Sequence, residues 1–293
     1  MKKLFSLIMA VLPVSSGNSK TKNSAGKTGK TRQLTVPSGR GYYDVNGLTM
    51  YYEIHGEDRP LVLVHGAGST IQTTFGRILP ELSRHRQVIA VELQGHGRTP
   101  DVDRPESFEQ DAEDVAGLLH NLEITNADFF GFSNGGNAVM QIAIRHPELV
   151  GKIILGSTFF KRDAFSPEFW EGLMQGTLND MPQALKDAYE KVAPDPRNLI
   201  KMFEKDRQRM LEFADWDEGD IRSIPAPALI IIGDQDVVRP EHAVGMFRLI
   251  PGCRLAIIPG GHGGYLGEIE TLRDDDASEV IFTATLVEKF LRE

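Results

Sequence analysis

Short hydrophobic runs recur along the chain after about residue 40 and predict the strands of a sheet. These runs span residues 61–64, 88–91, 128–130, 152–155, 228–232 and 254–258. They are rich in branched residues and are continuous rather than alternating, a pattern typical of strands covered on both faces. Because amphipathic stretches separate them, the chain is predicted to adopt an α/β fold, with a mostly parallel sheet flanked by helices.

Two local signals predict where individual elements begin and turn. Asn46 and Gly47 separate the runs 42–45 and 48–54, and this dipeptide suits the positive φ angles of a two-residue hairpin. We therefore expect the body of the chain to open with an antiparallel hairpin. Ser107 and Gln110 have the spacing of a capping box, which predicts a helix over residues 107–122.

The alternation of strand and helix breaks once, between residues 158 and 223. This stretch contains only helical patterns, so we interpret it as an inserted helical lid. Phe159, Phe160 and Trp170 are its strongest candidates for contact with a substrate, because ligand pockets are lined mainly by apolar and aromatic side chains. The alternative is that these aromatic residues simply pack the lid onto the sheet domain.

The first 40 residues differ from the rest of the chain. In residues 1–17, two lysines precede an apolar run of 11 residues and then small residues, the order of a secretory signal peptide. The run is shorter than the roughly 20 residues that span a bilayer, so stable membrane insertion is not expected. Residues 18–40 have the polar composition of a flexible linker, and residues 41–293 form the folded domain. The prediction is export to the periplasm or the medium; with a disordered leader instead, the protein would be cytoplasmic.

Composition narrows the choice of partners. The chain has 293 residues, 41% of them hydrophobic, which is enough for a large core. Residues 41–293 contain 24 basic and 41 acidic residues, a net charge of −17 that disfavours binding to nucleic acid. A lone cysteine, Cys253, excludes an internal disulfide, and no residue cluster calls for a metal or an organic cofactor. The expected partner is a small molecule, and no pattern specifies an oligomeric state.

The clearest chemical motif is Gly131-Phe132-Ser133-Asn134-Gly135, which matches G-x-S-x-G. It follows a predicted strand and precedes a predicted helix, the context in which a sharp turn presents a nucleophilic serine. Ser133 is therefore the candidate nucleophile, and its neighbour Phe132 is a candidate for substrate contact.

A serine hydroxyl needs a base that is oriented by a carboxylate. If the chain order is serine, acid, histidine, only His242 and His262 remain as bases. His262 is preferred because it follows the last predicted strand on a glycine-rich loop, whereas His242 lies in a predicted helix. Asp234 and Asp236 both follow the strand 228–232; Asp236 is the favoured acid, and Asp234 is expected to brace the turn.

The tetrahedral intermediate of acyl transfer carries an oxyanion, which needs preorganised donors. Small residues follow the strand 61–64, so the backbone N–H of Ala67 can point into the site together with that of Asn134. His65 is interpreted as structural, with its ring bonded to the loop backbone.

The motifs occur in the order found in the α/β-hydrolases, which residues 41–293 therefore resemble. They are His65–Gly68, Gln94–Thr99, Gly131–Gly136, Gly233–Asp236 and Gly261–His262. The resemblance implies Ser133 as nucleophile, Asp236 as acid and His262 as base, with an oxyanion hole at Ala67 and Asn134. Two features depart from the family pattern. Glu92 stands where the family often has aspartate, and residues 267–282 insert an acidic stretch that includes Asp274–Asp276.

The leading functional hypothesis is a serine hydrolase that cleaves a carboxylic ester or related acyl compound through a Ser133 acyl-enzyme. The same triad also supports hydrolysis of a carbon-carbon bond or perhydrolysis. A third hypothesis is a ligand receptor that keeps the fold without turnover. The nucleophile position, residue 133, is serine rather than aspartate, which argues against haloalkane dehalogenation.

Overall fold

The computed structural model describes residues 38–271 and 277–293. The predicted signal peptide, most of the linker and Asp274–Asp276 lie outside the described residues. Within the described ranges, no helix combines the length and the apolar character that crossing a bilayer requires.

One twisted sheet forms the centre of the described structure. Its strands are β1 (Gly39–Val45), β2 (Leu48–His55), β3 (Pro60–Val64), β4 (Gln87–Val91), β5 (Ala127–Phe132), β6 (Val150–Gly156), β7 (Ala228–Gly233) and β8 (Arg254–Ile258). Their order across the sheet is β1-β2-β4-β3-β5-β6-β7-β8. Strands β3 to β8 pair in parallel, and β1 and β2 are antiparallel. The predicted strands and the mostly parallel sheet are confirmed.

The predicted hairpin turn is confirmed at the start of the sheet. Asn46 and Gly47 join β1 to β2 with φ angles of 51° and 80°, both in the left-handed region. Such angles match the twist of the flanking strands.

Helices cover both faces of the sheet. They are α1 (Ile71–Phe75), α2 (Leu79–Leu82), α3 (Phe108–Asn121), α4 (Asn134–Arg145), α5 (Pro167–Gln175), α6 (Gln183–Val192), α7 (Leu199–Glu212), α8 (Glu218–Arg222), α9 (Pro240–Leu249) and α10 (Ser278–Arg292). The segment between β6 and β7 contains α5 to α8 and no strand. We call residues 157–227 the helical insertion; it corresponds to the predicted lid.

Only half of the predicted capping box is present at the start of α3. The Ser107 hydroxyl accepts the Gln110 backbone N–H at 3.1 Å, as expected of an N-cap. The Gln110 side chain turns away instead and donates to Asp114 Oδ1 at 2.9 Å. An acidic partner one turn along the helix thus replaces the return bond to the backbone.

Continuous hydrophobic strands are explained by the two cores that the sheet separates. Val62 and Val64 pack into the core on one face, and Leu61 and Leu63 pack into the core on the other. Successive strand residues point to opposite faces, so in a strand buried on both sides no position faces solvent and the hydrophobic run is continuous. The polar residues of a functional site are therefore expected on the loops that follow the carboxyl ends of the parallel strands.

Candidate active site

Ser133 occupies a sharp turn between the end of β5 and the start of α4. Its backbone has φ 54° and ψ −124°, a conformation that residues with a side chain rarely adopt. The Ser133 N–H donates to the Gly156 carbonyl of the neighbouring strand at 2.7 Å, which helps to hold this geometry. Strain of this kind costs about 1–3 kcal/mol and persists only where the surrounding structure enforces it.

The two outer glycines of the motif allow the turn to be this tight. A Cβ atom on Gly131 would lie 2.3 Å from the Gly135 carbonyl oxygen, and one on Gly135 would lie 2.1 Å from that of Val64. Either contact is far shorter than a real Cβ atom tolerates, so helix α4 approaches β3 and β5 only because these residues are glycine.

His262 lies on the loop after β8 and contacts Asp236 from the loop after β7. Its Nδ1 is 2.7 Å from Asp236 Oδ1, and the Asp236 side chain is fully buried. Two further donors fix the carboxylate: the Val238 N–H at 3.0 Å to Oδ1 and the Ser157 hydroxyl at 2.6 Å to Oδ2. A carboxylate held in this way orients the imidazole with Nδ1 protonated and leaves Nε2 free to accept a proton.

The electrostatics of this pair favour the protonated imidazole. Burial alone lowers the pKa of His262, but the Asp236 carboxylate raises it by more, so the pKa lies above its ordinary value. A base with a raised pKa takes up a proton more readily, which is what abstraction from a serine hydroxyl requires.

Asp234 has a different role from Asp236. Its exposed carboxylate accepts the Gly260 N–H at 2.8 Å, which ties the loop after β7 to the loop after β8. The expectation that Asp234 braces the turn is thus confirmed, and Asp236 is the aspartate that contacts His262.

One cavity of about 220 Å³ brings the predicted catalytic and oxyanion residues together. Ser133, His262, Ala67 and Asn134 all line it. Within the described residues, neither the Ala67 N–H nor the Asn134 N–H has an acceptor. Two unpaired backbone donors beside a nucleophile are the arrangement that an oxyanion needs.

The aromatic candidates divide into two groups. Phe132 and Phe159 line the cavity, whereas Phe160 and Trp170 are not among its lining residues. Phe160 packs its ring on His242 with 4.9 Å between centroids. Trp170 donates its indole N–H to the Arg162 carbonyl at 3.0 Å, and the Arg162 guanidinium covers its ring.

Other residues of the helical insertion form the cavity wall. They include Phe165, Phe169, Leu173, Met181, Leu185, Met202, Phe203 and Met210. Phe169 and Leu173 are four residues apart on α5 and therefore share one helix face, whereas Trp170 is turned by about 100° from Phe169. The wall is mostly apolar, which suits a substrate with a hydrophobic group.

Two residues near the candidate triad were not identified from the sequence. Ser157 holds Asp236 Oδ2 and also lies 2.8 Å from the Tyr265 hydroxyl. Glu268 is buried in the cavity wall, and burial raises its pKa to about 7. Ser157 has a positive φ of 50° just after β6, but no sequence motif marks it.

His65, which the sequence predicts to be structural, and Glu92 both bond to the main chain of neighbouring residues. His65 Nδ1 donates to the Gly66 carbonyl at 2.8 Å, and its Nε2 accepts the Leu93 N–H at 3.1 Å, as predicted. Burial lowers the pKa of His65 to about 3, so the ring is neutral.

The Glu92 carboxylate accepts the Arg98 N–H at 2.5 Å and pairs with its guanidinium at 2.8 Å. In the described ranges, no group of histidine, cysteine and acidic residues is arranged to hold a metal ion.

Comparisons with known proteins agree with this geometry. A profile of the alpha/beta hydrolase family matches residues 61–271. The chain is 31% identical over 247 residues to the 2-hydroxy-6-oxo-2,4-heptadienoate hydrolase of Pseudomonas putida, over 74% of this chain and 86% of that protein. It is 28% identical over 236 residues to the pimeloyl-[acyl-carrier protein] methyl ester esterase of Neisseria meningitidis, over 72% of this chain and 90% of that protein.

A solved structure shows the same fold. The 2-hydroxy-6-oxo-6-phenylhexa-2,4-dienoate hydrolase of Rhodococcus sp. strain RHA1 superimposes with a TM-score of 0.72 at 18% identity, over 89% of this chain and 100% of that chain. The relatives found by sequence thus include a dienoate hydrolase and a methyl ester esterase. The family profile and the parallel sheet with its serine turn lead to one conclusion: this chain is a hydrolase that belongs to the alpha/beta hydrolase family.

Proposed function

We propose that the chain hydrolyses a carboxylic ester, or a related uncharged acyl compound, through a covalent acyl-enzyme on Ser133. The observation that carries the proposal is the cavity that Ser133 and His262 both line, together with the 2.7 Å between His262 Nδ1 and the buried Asp236. A nucleophile, a base and an orienting acid in this arrangement perform acyl transfer in unrelated folds.

The proposed reaction has two halves. Ser133 Oγ attacks the carbonyl carbon as His262 Nε2 removes its proton, and the N–H groups of Ala67 and Asn134 stabilise the oxyanion. The intermediate collapses as His262 returns the proton to the leaving alcohol, which leaves the acyl group on Ser133. Water then attacks this ester as His262 removes its proton, and His262 returns that proton to Ser133 Oγ as the bond to the acyl carbon breaks and the carboxylic acid departs.

The charges of the cavity support an uncharged acyl substrate over an anionic one. Of the described lining residues, Arg207 is the only arginine or lysine, and its guanidinium donates to the main-chain carbonyls of Leu173 and Met174. Glu268 and Glu270 line the same cavity. Because a buried carboxylate of a substrate needs a cationic partner, a dienoate such as the Pseudomonas putida relative is named for would bind poorly here.

The test is a panel of p-nitrophenyl esters of graded acyl length with the purified full-length protein, together with a fluorophosphonate probe. We expect hydrolysis of the esters, and probe attached to Ser133 on peptide mapping. Ser133→Ala is expected to lose the label and at least about 10³-fold of the turnover while still folding. Ser223→Ala, which changes an exposed serine that does not line the cavity, is the matched control.

A wild-type protein that neither takes the probe nor cleaves any ester would overturn the proposal and favour a ligand receptor on the same fold. If instead a 2-hydroxy-6-oxo-dienoate were cleaved far faster than every ester, carbon-carbon bond hydrolysis would be the activity. A perhydrolase would be recognised by peracid formation from the acyl-enzyme and hydrogen peroxide.

A further inference from the structure

A buried carboxylate from the helical insertion contacts the loop that carries the proposed oxyanion donor. Asp206 belongs to α7, and its Oδ2 accepts the Gly68 N–H at 2.6 Å. The same oxygen lies 2.9 Å from His96 Nε2, and Oδ1 pairs with the Arg209 guanidinium. Asp206 is only 6% exposed and lines the cavity.

The contact bears directly on the direction of the Ala67 N–H. Two peptide planes meet at the Ala67 Cα atom. In the first, the Gly66 carbonyl accepts His65 Nδ1–H at 2.8 Å, and this plane also contains the Ala67 N–H. In the second, the Gly68 N–H is bonded to Asp206. With both planes held, Ala67 has little freedom to rotate, so its N–H keeps one direction.

We propose that Asp206 is a positioning residue for the oxyanion hole, through which the helical insertion completes a catalytic element of the sheet domain. The inference rests on the proposed function, because it concerns the reaction at Ser133. It assigns to the insertion a role in the chemistry itself, in addition to forming the pocket wall.

The surroundings of Asp206 keep its carboxylate charged. Burial alone raises the pKa of Asp206, but His96 and Arg209 outweigh this effect and hold the pKa well below its usual range. Although burial lowers the pKa of His96, Asp206 raises it to about 9, so the ring is an imidazolium at neutral pH. A hydrogen bond to an ionised acceptor is about twice as strong as a neutral one, which makes the Gly68 contact a firm anchor.

Asp206→Asn tests the proposal because a charged oxygen of Asp206 holds the Gly68 N–H. An amide nitrogen at the Oδ2 position would face the Gly68 N–H and break the bond, whereas one at the Oδ1 position would face the Arg209 guanidinium and leave Gly68 only a neutral acceptor. Asp111→Asn is the matched control. Asp111 is also buried and accepts Arg209 Nη1 at 2.9 Å, so this variant removes a charge from the same cluster. The bond that it changes is to Arg209 and not to Gly68.

The assay compares kcat and KM for acetyl and octanoyl p-nitrophenyl esters in the wild type and both variants, with thermal unfolding to confirm that each is folded. Removal of a whole oxyanion donor costs about 10²–10³-fold in kcat, so misdirection of one is expected to cost about 10- to 100-fold. The loss in Asp206→Asn should be equal for both esters, because the oxyanion is the same. Inhibition by methylboronic acid, which forms a tetrahedral adduct on serine, should weaken by a similar factor. Asp111→Asn should stay within about threefold.

Two results would overturn the inference. A rise in KM for the octanoyl ester alone would show that Asp206 is only pocket wall, and equal losses in the two variants would show that it is only part of a stabilising cluster. If Asp206→Asn does not fold, Asp206→Glu, which keeps the charge but displaces it, must show the same length-independent fall in kcat or the inference fails. A wild-type protein that neither reacts with the fluorophosphonate nor cleaves esters would overturn both the proposed function and this inference. If the wild type is active but the variants show a rise in KM for the octanoyl ester alone, or equal losses, only this inference is overturned.

Discussion

Asp236→Asn is the most informative single change at the candidate triad, because a matched aspartate lies two residues away. In the wild type, Asp236 Oδ1 faces His262 Nδ1 and Oδ2 faces the Ser157 hydroxyl. If the new amide nitrogen turns toward Ser157, that hydroxyl can accept from it, and only the negative charge is lost. If the nitrogen turns toward His262, the imidazole must carry its proton on Nε2 and cannot act as a base.

The size of the effect follows from these two orientations. An imidazolium and a carboxylate about 4 Å apart attract by about 4 kcal/mol at an effective dielectric constant of 20. Loss of that attraction in the transition state corresponds to about 10³-fold in kcat. The wrong tautomer costs about 10⁴-fold. We therefore expect a loss of 10³- to 10⁴-fold, whereas Asp234→Asn should stay within about threefold, since an amide oxygen can still accept the Gly260 N–H.

The assay is kcat/KM for p-nitrophenyl acetate from pH 5 to pH 9, in the wild type and both variants. His262 must be neutral to act as a base, so activity is lost as the pH falls through its pKa, which Asp236 holds above the ordinary value. The residual activity of Asp236→Asn should therefore persist to lower pH than that of the wild type. An Asp236→Asn variant that keeps more than about a tenth of the activity, or an Asp234→Asn variant that is the more damaged of the two, would show that Asp236 is not the triad acid.

Three further predictions follow from the structure. Phe169→Ala should raise KM for medium-chain esters, because Phe169 lines the cavity, whereas Trp170→Ala should leave the chain-length profile unchanged; kinetics with graded esters separates them. Burial lowers the pKa of His242 to about 4, so the folded state binds a proton there less readily than the unfolded state does. The contribution of His242 to the free energy of unfolding is therefore fully present above pH 6.5 and is lost as the pH falls toward 4. Urea unfolding should show a loss of roughly 2 kcal/mol between pH 7 and pH 5 that is absent in His242→Gln. Deletion of residues 1–17 should leave an active protein that is retained inside the cell; cell fractionation that finds the uncleaved full-length chain in the cytoplasm would contradict the signal peptide.

The strands and the serine turn were predictable because their signals are local. A strand buried on both faces must be continuously apolar, and Ala228–Gly233 is an example that leaves little choice of interpretation. The turn at Ser133 needs glycine at two fixed positions for steric reasons, so its motif is short and specific.

Residues that act across the fold were not predictable in the same way. Phe159 and Phe160 are adjacent and both aromatic, yet only Phe159 lines the cavity, because packing of the insertion decides which side chain faces inward. The bond from Gly68 to Asp206 joins residues 138 positions apart, and neither residue carries a local signal for it. Patterns of hydrophobicity report burial, but they do not report which buried groups meet.

The backbone at Ser133 has a consequence for how this protein can change over generations. Glycine adopts a φ of 54° at less cost than serine, so Ser133→Gly is expected to relieve part of the strain and to unfold at a higher temperature than the active protein. The position that the reaction depends on is then one at which stability and activity conflict. Selection for stability alone would remove this serine, and its retention in a population would report continuing selection for turnover.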